Sequence, residues 1–123
     1  VYIAPMEALH LTADLYGCRC EPQWLTDAGP LRAWCESAMA QAMGTEPAAA
    51  FRGGEVLSGT VVVAGAHLSI HADAPRRSAT ADVLVAAGVP DGARIARLLV
   101  DALIERLQPE WTEQRSLTRG DEA

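Results

Sequence analysis

The residues best suited to chemistry lie in one short stretch, residues 60–71, which reads Thr-Val-Val-Val-Ala-Gly-Ala-His-Leu-Ser-Ile-His. It contains two histidines, His67 and His71, with Ser69 between them. Histidine exchanges a proton near neutral pH, and serine becomes a nucleophile when a neighbouring base activates it. These residues could therefore support acid–base or nucleophilic chemistry. The alternative is that each histidine only fills a hydrogen-bonding position on a sheet.

Two more polar residues are candidates for the same site. Ser58 precedes the stretch, and Asp82 is the one charged position in the apolar run 80–87. A carboxylate in the middle of a strand needs a partner, such as His71 or a backbone donor, because an unpaired buried charge is costly. We interpret Asp82 as a member of a structural ion pair, and Ser58 as a residue at the start of a strand.

The stretch resembles the core motif of the prokaryotic S-adenosylmethionine decarboxylases, a pyruvoyl-dependent family whose version runs Gly-Val-Val-Val-Ile-(Ser/Ala)-Glu-Ser-His-Leu-(Thr/Ser)-Ile-His. Residues 10–18, His-Leu-Thr-Ala-Asp-Leu-Tyr-Gly-Cys, are similar to the opening strand of the family. Residues 57–59 and 81–83 resemble its Val-Ser-Gly and Ala-x-Asp-(Val/Leu)-Phe segments. The resemblance extends over residues 10–117 and implies kinship and fold more than activity.

The resemblance also implies that the residues of the family's chemistry are missing. In the family the chain cleaves itself between the Glu and the first Ser of the motif, and that Ser becomes the pyruvoyl group. Gly65 and Ala66 occupy these two positions here. The family's Cys that reprotonates the product corresponds to Ala86. We therefore expect no pyruvoyl cofactor and no catalytic residue at these positions.

Some other residues of the family site remain. The resemblance implies that Ser58 and His71 correspond to residues that assist self-processing, whereas the family's nucleoside-holding Trp-Pro-Glu has become Asp-Ala-Pro at residues 73–75. The candidate relic or pocket residues are Ser58, His67, Ser69, His71 and Asp82. Cleavage before Ser69 is an alternative that we disfavour, since a peptide in mid-strand lacks the strained geometry of a turn.

Composition limits the classes of partner. The chain has 123 residues, half of them hydrophobic, which predicts a single domain over 1–123 with its own core. It has no apolar run long enough for a membrane span, and residues 1–5 do not resemble a signal peptide, so we expect a cytoplasmic protein. A net charge of −6 argues against nucleic acid as a partner.

The cysteines predict neither a disulfide framework nor a metal site. The chain has three, an odd number. Cys18 and Cys20 could be half of a zinc site, but no second pair at ligand spacing completes it. Cys35 falls on the apolar stripe of a predicted helix, where a buried free thiol is common.

The apolar periodicity predicts an α+β fold, a two-layer sandwich of an antiparallel sheet with helices on one face. Strands are expected at residues 9–16, 48–52, 58–64, 67–72, 80–87 and 110–117, and a frayed tail at 119–123. Two helices are expected, one from residues 29–30 to a cap at Gly44, the other capped by Asp91 and ended by Pro109, with Ile95, Leu98, Leu99, Ala102 and Leu103 on its apolar face.

The strands at residues 58–64 and 67–72 are expected to form a hairpin around a type II′ turn at Gly65-Ala66. Residues 64 to 61 would then pair with residues 67 to 70. Val61, Val63, Leu68 and Ile70 would face the core, and Thr60, Val62, His67, Ser69 and His71 the other side. A slip of one residue would bury both histidines, which supports this assignment of faces.

Three functions remain open from the sequence. The first is a non-catalytic paralogue that binds a small nucleoside or amine ligand or regulates a partner. The resemblance implies that it acts in polyamine-type metabolism, namely spermidine biosynthesis. The second is an active decarboxylase, on S-adenosylmethionine or another amino acid, with an unrecognised cofactor or cleavage site. The third is a structural protein that kept only the fold. Apolar surface at Val62 and Leu84, opposite the helices, predicts a homodimer or a heterodimer with an active relative.

Overall fold

The protein is described here by a computed structural model over residues 7–120, which form a six-stranded antiparallel sheet with helices on one face. In chain order the elements are β1 (Ala8–Tyr16), α1 (Gln23–Thr26), α2 (Ala28–Met43), β2 (Ala48–Arg52), β3 (Val56–Val63), β4 (Ala66–Asp73), β5 (Ser78–Ala86), α3 (Gly92–Leu107) and β6 (Trp111–Arg119). The strand order is β2-β3-β4-β5-β1-β6. The predicted two-layer α+β sandwich is confirmed.

The core lies between the sheet and the two long helices. α2 packs on β2 and β3, and α3 packs on β1 and β5. Residues alternate along each strand between this core and the opposite surface, which we call the outer face, because successive side chains leave a strand in opposite directions. In β1, for example, Leu11, Ala13 and Leu15 are buried, whereas Thr12 and Asp14 are partly exposed.

The helix ends agree with the sequence at α2 but not at α3. Gly44 follows α2 in a left-handed conformation with φ of +73°, as expected of a glycine cap. Asp91 stands at the predicted N-cap of α3, but its side chain makes no capping hydrogen bond. Its φ is +56°, whereas a capping side chain reaches the first amides from extended backbone.

The buried stripe of α3 also differs from the prediction at one residue. Leu98, expected in the core, is exposed, whereas Val100 is buried. Two residues apart on a helix are rotated by about 200°, so Leu98 and Val100 cannot both face the sheet. The apolar pattern allowed either choice. The other predicted residues of the stripe lie on or beside the buried face: Ile95, Leu99 and Leu103 are buried and Ala102 is partly exposed.

The predicted hairpin is present, but its turn lies one residue earlier than predicted and its register differs by two residues. Ala64 and Gly65 form the turn, so that Val63 pairs with Ala66. Gly65 has φ of +85° at the second turn position, whereas a type II′ turn needs positive φ at the first. Each residue therefore pairs two positions away from its predicted partner. Because the side-chain period of a strand is also two, every side chain keeps its predicted face.

Other differences are limited to boundaries. β3 begins two residues earlier than predicted, β6 continues to Arg119, and the short helix α1 was not predicted. The rest of the predicted tail, residues 121–123, and the N-terminal residues 1–5 considered above lie outside the described residues. Within residues 7–120, no helix is both long and apolar enough to cross a membrane.

The pairing of β2 with β3 depends on one glycine. Gly59 pairs directly with Phe51, and the aromatic ring occupies the space that a β-carbon on Gly59 would need. Phe51 in turn packs against the buried core. The lack of a side chain at Gly59 therefore lets the edge strand β2 cover the core with an aromatic ring.

We expect Gly59→Ala to destabilise the fold by about 1–3 kcal/mol, because the added methyl group must displace the Phe51 ring. Urea unfolding followed by circular dichroism measures this effect. Gly29→Ala is the control, since nothing lies within 4 Å of a β-carbon there and alanine favours the helix α2. Equal stability of the two variants would contradict the role assigned to Gly59.

Candidate functional site

All three histidines of the chain lie on the outer face, which carries the candidate polar residues. His67 and His71 come from β4, and His10 comes from β1. β5 lies between these two strands and brings Asp82 to the middle of the face. The sheet therefore gathers residues from distant parts of the chain into one polar surface.

The two positions at which the family places its reactive groups are adjacent in this structure. Ala66 opens β4 and pairs with Val85 of β5. The backbone N–H of Ala86 donates a hydrogen bond of 2.8 Å to the carbonyl oxygen of Gly65. This is the carbonyl that a residue-66 hydroxyl would attack in a self-cleaving chain. Neither position carries a hydroxyl or a thiol.

The residues present do not fit a pyruvoyl group. Ala66 offers no oxygen for the ester intermediate, and its methyl group is buried in the core at 5% exposure. Gly65 replaces the family's Glu in a left-handed conformation, where a β-carbon would lie 2.8 Å from Cγ2 of Val89. The backbone of this turn is therefore adapted to glycine at residue 65. The nucleophile at residue 66 is missing as well.

Ser58 and His71 are brought together by the strand pairing. They are direct partners on β3 and β4, and the Ser58 Oγ lies 2.8 Å from Nδ1 of His71. A neutral imidazole has one donor and one acceptor nitrogen, so the pair can form in either direction. The two residues that the resemblance links to self-processing are thus hydrogen-bonded to each other.

Asp82 bonds to a different histidine from the one that the sequence suggested. Its Oδ1 lies 3.2 Å from Nε2 of His67, and Ser69, not His71, stands directly opposite it on β4. His71 lies opposite Thr80, too far along the strand. The structural ion pair proposed for Asp82 therefore involves His67 when that histidine is protonated.

His10 was missed as a member of this group. Its Nε2 lies 3.5 Å from the same Asp82 oxygen, and within residues 7–120 that buried nitrogen has no hydrogen-bond partner. The signal was present in the sequence, since His10 alternates with the buried leucines of β1 and must face outward. What the sequence lacked was the pairing of β1 with β5, which sets His10 opposite Leu84 and diagonal to Asp82.

Ser69 is occupied by structural hydrogen bonding. Its Oγ lies 3.0 Å from Oγ1 of Thr60, and that threonine lies 3.3 Å from the carbonyl oxygen of Leu68. The two residues are direct partners in the middle of β3 and β4. A serine in such a regular strand has neither an activating base within this contact nor a strained peptide to cleave.

A shallow depression on the outer face collects some of these residues. It has a volume of about 350 Å³, and Ser58, Ser69 and His71 line it together with Arg52 of the edge strand. Asp82, which we expected beside His71 in any remaining pocket, does not line it. The strand order explains the separation, because the depression lies over β2, β3 and β4, whereas Asp82 lies on β5.

The segment that replaces the family's nucleoside clamp is closed on itself. Oδ2 of Asp73 accepts a hydrogen bond of 2.7 Å from the Arg76 guanidinium. This bond holds the pKa of Asp73 below its usual range. Arg76 is exposed but paired with this carboxylate.

The three cysteines do not replace the missing thiol. Burial raises the pKa of Cys35 to about 12 and that of Cys18 to about 11, and it also raises the pKa of Cys20. Thiols of this kind are poorly reactive. Cys18 and Cys20 also follow the end of β1, whereas Ala86 pairs with its first residue. No group of three or more potential metal ligands occurs in residues 7–120.

Comparisons with known proteins agree with this geometry. A model of the S-adenosylmethionine decarboxylase family matches residues 9–120. The crystal structure of the adenosylmethionine decarboxylase from Aquifex aeolicus VF5 superimposes with a TM-score of 0.78 at 25% sequence identity, over 98% of this chain and 96% of that chain. A search of curated proteins finds no match. Since the family match covers nearly all of the sequence, the chain belongs to the S-adenosylmethionine decarboxylase family.

Proposed function

We propose that this chain is a non-catalytic member of its family that acts as a ligand-binding or regulatory paralogue in polyamine-type metabolism. The observation that carries the proposal is the pair of alanines, Ala66 and Ala86, at adjacent positions on β4 and β5. One removes the precursor of the cofactor, and the other removes the proton donor for the product. A single Ser-to-Ala substitution would explain only one of these losses. Natural divergence of the chain explains both.

The chemistry of decarboxylation explains why these losses matter. Departure of CO₂ from an amino acid leaves a carbanion, which a pyruvoyl Schiff base stabilises as an electron sink. The polar groups of the outer face can bind and exchange protons, but imidazole, hydroxyl and carboxylate groups are not electron sinks. The residues that remain are therefore suited to recognition.

The outer face keeps features that suit a small ligand. Ser58 and His71 line the depression with hydrogen-bonding groups. The negative net charge of the chain favours a cationic compound, such as an amine or a sulfonium nucleoside. A rise in melting temperature on addition of S-adenosylmethionine or a polyamine would support this part of the proposal.

Association through the outer face is the second part of the proposal. Val62 is 46% exposed, and Leu84 lies in the same row of the sheet with His67 between them. The helices cover only the other face. Two apolar side chains that no helix covers, beside a polar depression, fit a second copy of the chain, or an active relative, placed face to face with this one.

We expect the purified chain to remain a single intact polypeptide, because residue 66 has no hydroxyl. Intact-mass spectrometry measures this directly. The double variant Gly65→Glu/Ala66→Ser is expected to stay mostly intact as well, since a glutamate at residue 65 is strained and contacts Val89. Spontaneous cleavage of the unmodified chain before Ala66 would revive the alternative of an active enzyme.

We expect no decarboxylation of S-adenosylmethionine above the uncatalysed background. The measurement is release of labelled CO₂ from carboxyl-labelled substrate, with an active adenosylmethionine decarboxylase as the positive control. Release that depends on this protein alone would contradict the proposal and would point to an unrecognised cofactor or cleavage site.

We expect Val62→Asp to weaken association through the outer face by about tenfold or more, which corresponds to about 1.4 kcal/mol. Light scattering across a concentration series measures the change, and co-expression with an active relative tests the heterodimer. Leu98→Asp is the matched control, because Leu98 is equally exposed, at 48% against 46%, but lies on α3. Equal effects of both variants, or none from either, would contradict a dimer at this face.

A further inference from the structure

The strand β6 forms one edge of the sheet in the part of the chain that the structure describes. It pairs with β1 along its whole length on one side, and nearly all of its residues are exposed. Trp111 and Leu117, the two most exposed large hydrophobic residues among residues 7–120, lie on it at 54% and 57% exposure. A long edge with unpaired backbone groups and apolar side chains is a template for another strand.

Residues 111–117 of this strand, Trp-Thr-Glu-Gln-Arg-Ser-Leu, are complementary to their own reverse about Gln114. In an antiparallel pair of two copies centred on Gln114, Trp111 stands opposite Leu117 of the second copy. Glu113 stands opposite Arg115. The remaining pair is Thr112 with Ser116. Each type of side chain therefore meets a suitable partner, and the two-fold symmetry makes each of these three pairs occur twice.

Neighbouring registers lose this complementarity. A pair centred on Arg115 sets arginine against arginine and Glu113 against Leu117. A pair centred on Glu113 sets glutamate against glutamate and Trp111 against Arg115. Like charges directly opposite one another destabilise a strand pair. The register centred on Gln114 is thus favoured by both charge and apolar contact.

The side chains are already placed for this contact. Trp111 stacks on Tyr16 with ring centroids 4.2 Å apart, which supports one side of the indole and leaves much of it exposed at the edge. Arg115 is two-thirds exposed and makes only long contacts, 3.7 Å to Asp14 and 3.4 Å to Glu113. Its guanidinium is therefore available to a carboxylate across the edge.

The residue at the centre of the register is held on the other side of the sheet. Gln114 accepts a hydrogen bond of 2.6 Å from Arg97 of α3, and its amide nitrogen donates to Thr112 at 3.1 Å. It therefore points away from the charged pairs and does not obstruct them. The outer side of the edge carries only Trp111, Glu113, Arg115 and Leu117 within the complementary segment.

We propose that two copies of this chain associate edge to edge through β6, in antiparallel register centred on Gln114, which joins their sheets into one. The occupant of the edge is a second copy, because the complementarity is of the segment with itself. This contact uses neither the histidines nor Val62, so it does not depend on the proposed function or on a dimer at the outer face.

Charge reversal tests the register. Glu113→Arg sets arginine against arginine in both charged pairs, and Arg115→Glu sets glutamate against glutamate. We expect each single variant to weaken self-association by about tenfold or more at low salt. The double variant Glu113→Arg/Arg115→Glu restores both pairs and should associate like the unmodified chain.

Mixing the two single variants provides a sharper measurement. Arginines at residues 113 and 115 of one copy then meet glutamates of the other, so a heterodimer should form where neither variant forms a homodimer. Native mass spectrometry with one variant isotope-labelled distinguishes the species. Glu105→Arg on α3 is the control, because it makes the same charge change away from the edge. Thermal unfolding checks that all the variants fold.

The outcomes separate this contact from the one at the outer face. Loss of association with Glu113→Arg and recovery in the mixture support the β6 contact, whatever Val62→Asp does. A monomeric unmodified chain, unchanged association of the single variants, or failure of the mixture to recover would overturn it. Sensitivity to Val62→Asp without sensitivity to Glu113→Arg would leave only the outer-face dimer.

Discussion

The structure depends on one constraint, which is that helices cover only one face of a six-stranded sheet. Side chains alternate between two environments along each strand, so each strand must place apolar residues on one side and can place polar ones on the other. The core uses the first set, from Leu11 of β1 to Val83 of β5. The residues on the opposite side do not have to pack in the core. The hydrogen-bonded residues of the outer face, including the Ser58–His71 pair, are a consequence of that freedom.

The same constraint explains why much of the fold could be predicted from the sequence. Alternation with a period of two identified the strands and their faces, and these remained correct for β3 and β4 although the turn was placed one residue late. The error arose because Gly65 is compatible with either position of a tight turn. Only the pairing of the strands decides between them. The predictions that Leu98 is buried and that Asp91 caps α3 were wrong for a related reason. In each case the local pattern was consistent with two arrangements, and packing selected one.

The candidate site was predictable in its residue types but not in its partnerships. Ser58, His67, His71 and Asp82 were all expected on or near one surface, and the structure places them there. That Asp82 would bond to His67 rather than His71 depends on the register between β4 and β5. The place of His10 beside them depends on β1 crossing to the far side of β5. Sheet order and register are long-range properties, and an individual stretch of sequence contains little information on them.

The short connection between β3 and β4 has a consequence for how the chain assembles. Where a related chain cuts itself at this point, the strands that correspond to β3 and β4 end on separate polypeptides. After complete unfolding those pieces must find one another by diffusion. A chain that stays continuous through Ala64 and Gly65 keeps these strands as neighbours at all times, so closing the hairpin costs little entropy and its rate does not vary with protein concentration. In this chain, which we propose stays uncleaved, the glycine turn thus makes formation of the β3–β4 hairpin a local and repeatable event.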